Sequence, residues 1–188
     1  MIVRGSDSGG ARYTSVAIWL HWTIAALVLL NLGLGFFHDD LEGISEALLM
    51  FFHKAIGVTV IGLTLLRLLW RLGHKPPIAD PVMSRWEAGL AGLVHWLFYL
   101  LLIAVPLAGW MLSSTNGRSV DYFGLFDMGP LPVPRGDEAH DLFEDLHENL
   151  AKAMLVLIGL HVAGALKHHL QGHRQVMGRM APWLLRSR

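Results

Sequence analysis

Four long apolar runs, separated by polar segments, dominate this chain of 188 residues. Each run is long enough to cross the hydrocarbon core of a bilayer, which takes about 20 residues at a rise of about 1.5 Å per residue. None alternates with the period of two that a barrel strand needs, and unpaired backbone polar groups are not tolerated in lipid, so each run should be a helix. The pattern predicts an all-α membrane protein, a single four-helix transmembrane bundle over residues 1–188, with spans at about 16–37, 48–69, 88–112 and 146–166.

The composition supports a lipid environment and limits the available chemistry. Hydrophobic residues make up 53% of the chain, charged residues 16%, and the mean hydropathy is +0.45, which is unusual for a water-soluble globule of this size. The absence of cysteine excludes disulfides, thiolate-bound iron–sulfur clusters and haem attached covalently through a C-x-x-C-H motif. Histidine, with 11 copies, must therefore supply any strong metal ligation.

The basic residues predict how the chain is oriented. With a cytoplasmic amino terminus, eleven lysines and arginines lie inside and four lie outside, which is the bias of cytoplasmic loops. The inner set is Arg4, Arg12, Arg67, Arg71, Lys75, Arg85, Lys167, Arg174, Arg179, Arg186 and Arg188, and the outer set is Lys54, Arg118, Arg135 and Lys152. The first run has no small-residue cleavage site, so no removable signal peptide is expected. We predict a multi-pass membrane protein with both termini in the cytoplasm.

Two segments outside the spans have recognisable patterns. The sequence GDEAHDLFEDLHENLAKAM returns to a helical pattern before the fourth span, so this helix should begin in water and run into the bilayer. The segment after Lys167 mixes bases with leucine, methionine and tryptophan. It is either an interfacial segment on the inner surface or a disordered basic tail.

The fourth span carries the most specific signal. His147 and His161 are fourteen residues apart, which is nearly four helical turns, so they share one face and stand about 21 Å apart along the axis. His161 lies well inside the span, where an imidazole without a partner would cost about 2 kcal/mol or more. An ionisable residue at this depth indicates a functional site.

The other spans place histidines at the same two depths. His53 enters the second span from the outside, near the level of His147, whereas His21 and His95 enter the first and third spans from the inside, near the level of His161. Two stacked haems, each with two axial imidazoles, require two such layers. Candidate partners for the haem propionates, or for a quinone, are Lys54 outside and Arg67 and Arg71 inside. Close approach of rings or helices would be eased by the glycines at 57, 62, 92, 109, 159 and 164, although small residues also promote ordinary helix packing.

Several alternatives remain open from the residues alone. The inner layer has three histidines for two ligand positions, so one is left for a propionate, a bound quinone or a proton path. Zinc or copper would suit the same imidazoles. A transporter is disfavoured, because the spans have no acid near the midplane. Interfacial or hydrogen-bonding roles are the simplest reading of His38, His74, His140, His168, His169 and His173.

The motifs, taken in order, resemble the bacterial cytochrome b561 family of the superoxide oxidase type. They are IWLHW at His21, FFHKAIG at His53, LVHWLFYLLLIAVPLAG at His95, LHENLA at His147 and GLHVAGALKHH from His161. The resemblance covers about residues 13–180 and implies a protein of the bacterial inner membrane with two haem b groups on His21, His53, His147 and His161. It also implies superoxide or another donor at the outer haem and ubiquinone as acceptor near the inner side. By this analogy, the residues around the quinone would be His95, Arg67, Arg71, His168 and His169.

The outer charge balance complicates the superoxide assignment. Superoxide is an anion and should be drawn to a positive mouth, yet the outer loops hold twelve acids against four bases. A periplasmic redox protein with a basic docking face is therefore a second candidate donor. The functional hypotheses are a superoxide:ubiquinone oxidoreductase, a haem b conduit or anchor subunit, and a membrane protein that binds metal without haem. No nucleic acid partner is expected.

Overall fold

The structure is a computed structural model that describes residues 13–37, 44–74 and 84–185. Four long helices dominate these ranges, namely α1 (Ser15–Phe36), α2 (Ile44–Gly73), α3 (Arg85–Thr115) and α4 (Asp137–Leu170). All four are long and apolar enough to cross a membrane, so the predicted fold is confirmed. Some residues of the charge and histidine analysis lie outside the described ranges: Arg4, Arg12, His38, Lys75, Arg186 and Arg188.

The helices pack in sequence order, with α1 on α2, α2 on α3 and α3 on α4. At one end of the bundle, Trp70 Nε1 of α2 donates to Thr14 Oγ1 before α1 at 2.9 Å. At the same end, Lys167 Nζ of α4 donates to Glu87 Oε1 of α3 at 2.9 Å. Consecutive helices therefore run in opposite directions. We call this end the terminal end, and the opposite end, where the α3–α4 connection lies, the hairpin end.

The buried core lies along the bundle axis, whereas the outward faces of the helices are apolar and exposed. The core cluster is Ile24, Ile56, Val60, Leu101, Leu102, Met154 and Leu157. On the outward faces, Leu30, Leu69 and Leu160 are 53%, 65% and 61% exposed. Contiguous apolar surface of this kind is unfavourable in water and is solvated by lipid tails in a bilayer.

A small β-hairpin follows α3 and packs against α2. Strand β1 (Val120–Tyr122) pairs antiparallel with β2 (Phe126–Met128). The turn uses Phe123 and Gly124 at φ of 53° and 71°, the left-handed region that glycine adopts without strain. The Tyr122 hydroxyl lies 3.3 Å from Thr59 Oγ1, so the hairpin is fixed to the side of α2. The apolar and polar pattern of the sequence does not predict this hairpin.

The segment after α4 is ordered against α1. It forms a short helix, α5 (Arg174–Gly178), and a 3₁₀ turn (Pro182–Leu185). Trp22 Nε1 of α1 donates to the Met180 carbonyl at 2.8 Å, and the Trp22 and Trp183 rings lie 5.5 Å apart. Of the two readings of this segment, the structure favours a folded interfacial segment over a disordered tail.

Candidate functional site

The structure brings His53 of α2 and His147 of α4 together near the hairpin end. Their ring centroids are 5.9 Å apart, with the planes at 86°. The Nδ1 atom of His53 lies 3.1 Å from the Asn31 carbonyl, and that of His147 lies 2.9 Å from the Val105 carbonyl. Because a carbonyl only accepts, each Nδ1 carries the proton and each Nε2 carries the lone pair that a metal needs.

Both rings also pack over a glycine of the helix that accepts their hydrogen bond. A Cβ at Gly35 would lie 2.9 Å from His53 Cε1, and one at Gly109 would lie 3.0 Å from His147 Cε1. Each glycine follows its acceptor carbonyl, Asn31 or Val105, by four residues, which is one helical turn. The two imidazoles are therefore seated in the same way, on α1 and on α3. Sequence reasoning named Gly109 only among general small residues and missed Gly35.

Three histidines meet near the terminal end. His161 of α4 lies between His21 of α1 and His95 of α3, at centroid distances of 6.3 Å and 5.8 Å. The Phe98 ring meets the His161 ring edge to face at 5.3 Å. Both His21 and His95 are therefore close enough to pair with His161, so the structure leaves the same two candidates as the sequence.

The two layers fit bis-imidazole iron. Two metal–nitrogen bonds of about 2 Å each hold opposing nitrogens about 4 Å apart, which puts the ring centroids near 6 Å. The His53–His147 and His21–His161 distances of 5.9 Å and 6.3 Å match this spacing. Within the described residues, no group of three or more histidine, cysteine or acidic side chains is arranged to hold a metal ion.

Two arginines and a tyrosine stand beside the terminal-end histidines. Arg67 Nη1 donates to the Ala17 carbonyl of α1 at 2.7 Å, and its Nε lies 3.4 Å from the Tyr99 hydroxyl of α3. Arg71 Nη1 lies 3.4 Å from the same hydroxyl. Tyr99 was not predicted, although it follows His95 by one helical turn and so shares its face.

A groove of about 680 Å³ opens beside this group, between α2 and α3. Leucines from the last turns of α2 line one wall, and His95, Trp96 and Tyr99 line the other, with Arg71 on the α2 side. The groove brings together two of the five residues expected around a quinone, His95 and Arg71. The other three, Arg67, His168 and His169, are not among the described lining residues; the two histidines lie at the carboxyl end of α4.

Basic side chains gather at the hairpin end. Lys54 follows His53 on α2, is partly buried, and lies near enough to Arg118 for their charges to repel. The Arg135 guanidinium packs near Gly117, with its Cζ 3.8 Å from the position of an added Cβ. Lys54 and Arg118 therefore lie near each other, and Arg135 lies beside the residue that precedes Arg118. The fourth outer base, Lys152, is exposed and pairs with Glu148 at 2.7 Å.

Comparison with known proteins agrees with this architecture. The sequence profile described as "Prokaryotic cytochrome b561" matches residues 12–183. The chain is 31% identical to "Cytochrome b561 homolog 2" of Escherichia coli (strain K12) over 180 residues, which cover 90% of each chain. It is 28% identical to "Probable superoxide oxidase CybB" of Yersinia pestis over 179 residues, covering 91% of this chain and 96% of the relative. "Cytochrome b561 homolog 1" of Escherichia coli (strain K12) is 30% identical over 176 residues, covering 91% and 97%.

The profile match spans nearly the whole chain, including all four long helices and all five histidines of the two layers. The chain therefore belongs to the prokaryotic cytochrome b561 family, and is a bacterial membrane oxidoreductase that binds haem b and transfers electrons.

Proposed function

We propose that the protein oxidises superoxide at the hairpin end and reduces ubiquinone near the terminal end, using two haem b groups. The ligands would be His53 with His147 and His21 with His161. The observation that carries this proposal is the presence of two imidazole layers with iron-compatible spacing, joined by a single helix. Haem b, when bound, supplies one-electron transfer at each layer.

The donor side is supported by the cluster of Lys54, Arg118 and Arg135. A local group of positive charges attracts a small anion even where the surrounding loops carry a net negative charge. Salt screens the exposed charges that lie more than about 10 Å away. Because Lys54 directly follows His53 on α2, this group of bases answers the objection from the overall charge count. The name of the Yersinia pestis relative agrees with this donor.

The acceptor side is supported by the groove between α2 and α3. Its leucine wall suits a polyprenyl chain that enters from lipid. Arg71 and Tyr99 present hydrogen-bond donors to a quinone oxygen, and His95 can hold and release a proton there. The overall reaction balances: two superoxide anions each lose one electron to become O₂, and the quinone gains two electrons and two protons.

An electron conduit for a periplasmic protein is the second candidate. The first turns of α4 stand beyond the predicted span and carry five exposed acids: Asp137, Glu138, Asp141, Glu144 and Asp145. The nearest of them, Asp145, lies two residues before His147, and the others lie farther outward along the helix. An acidic ridge so placed suits a basic redox protein.

The deciding experiment mixes the purified, oxidised holoprotein with a superoxide generator and ubiquinone. We expect the sharp b-type absorption of reduced haem to appear and then to decay as ubiquinol forms, and superoxide dismutase should abolish both changes. Arg118→Gln should slow the first phase and flatten its salt dependence, whereas Lys152→Gln should leave it unchanged. No reduction by superoxide, with normal reduction by dithionite, would contradict the enzyme and favour the conduit.

The ligand assignment has its own test, the haem content of alanine variants. His21→Ala, His53→Ala, His147→Ala and His161→Ala should each lose one haem and keep much of the other. His95→Ala should keep both haems but slow the oxidation of reduced haem by ubiquinone. Loss of haem in His95→Ala, with full content in His21→Ala, would exchange their roles.

A further inference from the structure

A third histidine pair lies at the terminal end, beyond the residues proposed to bind haem. His168 is in the last turn of α4, and His173 immediately precedes α5. His173 N donates to the His168 carbonyl at 2.9 Å. Between them, Gly172 takes φ of 83°, the left-handed conformation that ends helices and favours glycine. The turn therefore holds the backbones of His168 and His173 close to each other.

The two imidazoles are close, and their Nδ1 atoms are buried. The ring centroids are 6.1 Å apart, between the values of 5.9 Å and 6.3 Å for the pairs proposed to hold iron. Neither His168 Nδ1 nor His173 Nδ1 has a hydrogen-bond partner among the described residues, although both are shielded from solvent.

Four other histidines in the described chain do have a hydrogen-bond partner at Nδ1. The Nδ1 atoms of His53, His74, His140 and His147 all lie within 3.2 Å of a hydrogen-bonding oxygen or nitrogen. A buried nitrogen without such a partner is unfavourable. Two of them, on rings whose centroids are 6.1 Å apart, point to a ligand that both can share.

The chemistry of the donors selects a class of ligand. A neutral imidazole nitrogen is a borderline donor that suits Zn²⁺, Cu²⁺ and Ni²⁺ and binds Mg²⁺ and Ca²⁺ poorly. We propose that His168 and His173 together bind one such divalent transition-metal ion through Nδ1, with water in the remaining positions. The site is independent of the proposed haem ligands and of the superoxide reaction.

Zn²⁺ binding to the purified full-length holoprotein tests the site. Titration calorimetry should detect one strong Zn²⁺ site per chain. His168→Gln and His173→Gln should each weaken it by about tenfold or more, since each removes one of two protein ligands. His74→Gln is the matched control, because His74 also lies at the terminal end but stacks on Trp70 with ring centroids 4.0 Å apart. It should bind Zn²⁺ as the parent does.

The haem absorption spectrum of each variant establishes that the bundle is folded, and it should be unchanged. If His168→Gln lost haem, His173→Gln would still decide the question, because His173 lies beyond the end of α4. Zn²⁺ affinity unchanged by both substitutions, absence of any strong Zn²⁺ site in the parent, or loss of binding in His169→Gln alone would overturn the proposal. A copper-loaded sample should show electron paramagnetic coupling to imidazole nitrogen in the parent and lose it in His173→Gln.

Discussion

His53 and His147 each have a carbonyl that accepts the Nδ1 proton and a glycine beneath the ring. Asn31 and Gly35 serve His53, and Val105 and Gly109 serve His147. This arrangement fixes the tautomer and the tilt of the ring before any metal arrives, and such outer-shell contacts commonly control metal affinity. The glycines are therefore as relevant to cofactor retention as the hydrogen bonds.

Gly109→Ala should reduce the haem content of the hairpin-end layer. The added Cβ would lie 3.0 Å from His147 Cε1 and 3.1 Å from its Nδ1, closer than nonbonded carbon atoms normally approach, so the ring must shift away from the Val105 carbonyl. The haem to protein ratio, measured by pyridine haemochromogen, should fall from two toward one. Gly89→Ala on the same helix has no atom within 4 Å of its Cβ and is the control. Equal haem content in the two variants would contradict this account.

Tyr99→Phe should weaken the response to quinone without loss of haem. The hydroxyl is within 3.4 Å of both Arg67 Nε and Arg71 Nη1, so its removal frees both guanidinium groups to move. Hydrogen bonds to charged groups contribute about 1.5–3 kcal/mol, and we expect the KM for ubiquinone to rise about tenfold. Tyr122→Phe, at the hairpin end, should leave this KM unchanged. The KM is obtained from the steady-state rate measured as a function of quinone concentration. An unchanged KM in Tyr99→Phe would mean that the quinone binds elsewhere.

The sequence alone predicts how deep each histidine lies along the bundle, but it does not predict which side chains of neighbouring helices are in contact. Helical rise alone groups His53 with His147, and His161 with His21 and His95, because depth depends only on position along each helix. The contacts of Gly35 and Tyr99 depend on how neighbouring helices are rotated and tilted. The sequence of a single span does not determine that arrangement. The same limit explains why His168 and His169, correct in depth for the terminal end, do not line the groove that holds His95.

Among the elements, α4 joins the parts of the site. It is 34 residues long, begins ahead of the predicted span, and carries one histidine of each layer. The four spans could be predicted because each is a long apolar run with no competing pattern. The hairpin could not, because its strands have three residues each and are stabilised by packing against α2, including the Tyr122–Thr59 contact.

The docking of the segment after α4 on α1 predicts a measurable change in proteolysis. Trp22→Phe keeps an aromatic ring near Trp183 but removes the Nε1 donor to the Met180 carbonyl. Loss of one hydrogen bond costs about 0.5–1.5 kcal/mol, so cleavage at Arg179 by trypsin should become about threefold to tenfold faster. The rate is read from mass spectra of timed digests of the holoprotein.

Trp19→Phe is the control for that measurement. Trp19 lies on the same helix, is 59% exposed and donates no hydrogen bond to another described residue. Its digestion should match that of the parent. Equal cleavage of the Trp22 and Trp19 variants would mean that the segment is held by contacts other than this hydrogen bond.

For the whole molecule, the two ends differ in charge and in the kind of chemistry they suit. The hairpin end combines an acidic loop surface with a small group of bases beside His53, whereas the terminal end has the arginine pair and the lipid-open groove. The bases at the hairpin end would attract superoxide from outside the membrane. The groove at the terminal end would bind a quinone that takes up protons from inside. The functional proposal therefore depends on which end faces the cytoplasm.

The charge bias of eleven inner to four outer bases predicts that the terminal end is cytoplasmic. Because the sequence has no cysteine, a single introduced cysteine is a unique label. Ser119→Cys beside the hairpin should react with a membrane-impermeant maleimide in intact spheroplasts, and Gln175→Cys on α5 should react only after the membrane is opened; both positions are exposed. Labelling of Gln175→Cys in sealed spheroplasts, with Ser119→Cys protected, would reverse the topology. In that case the basic mouth beside His53 would meet cytoplasmic superoxide, and protons for quinone reduction would come from outside the membrane.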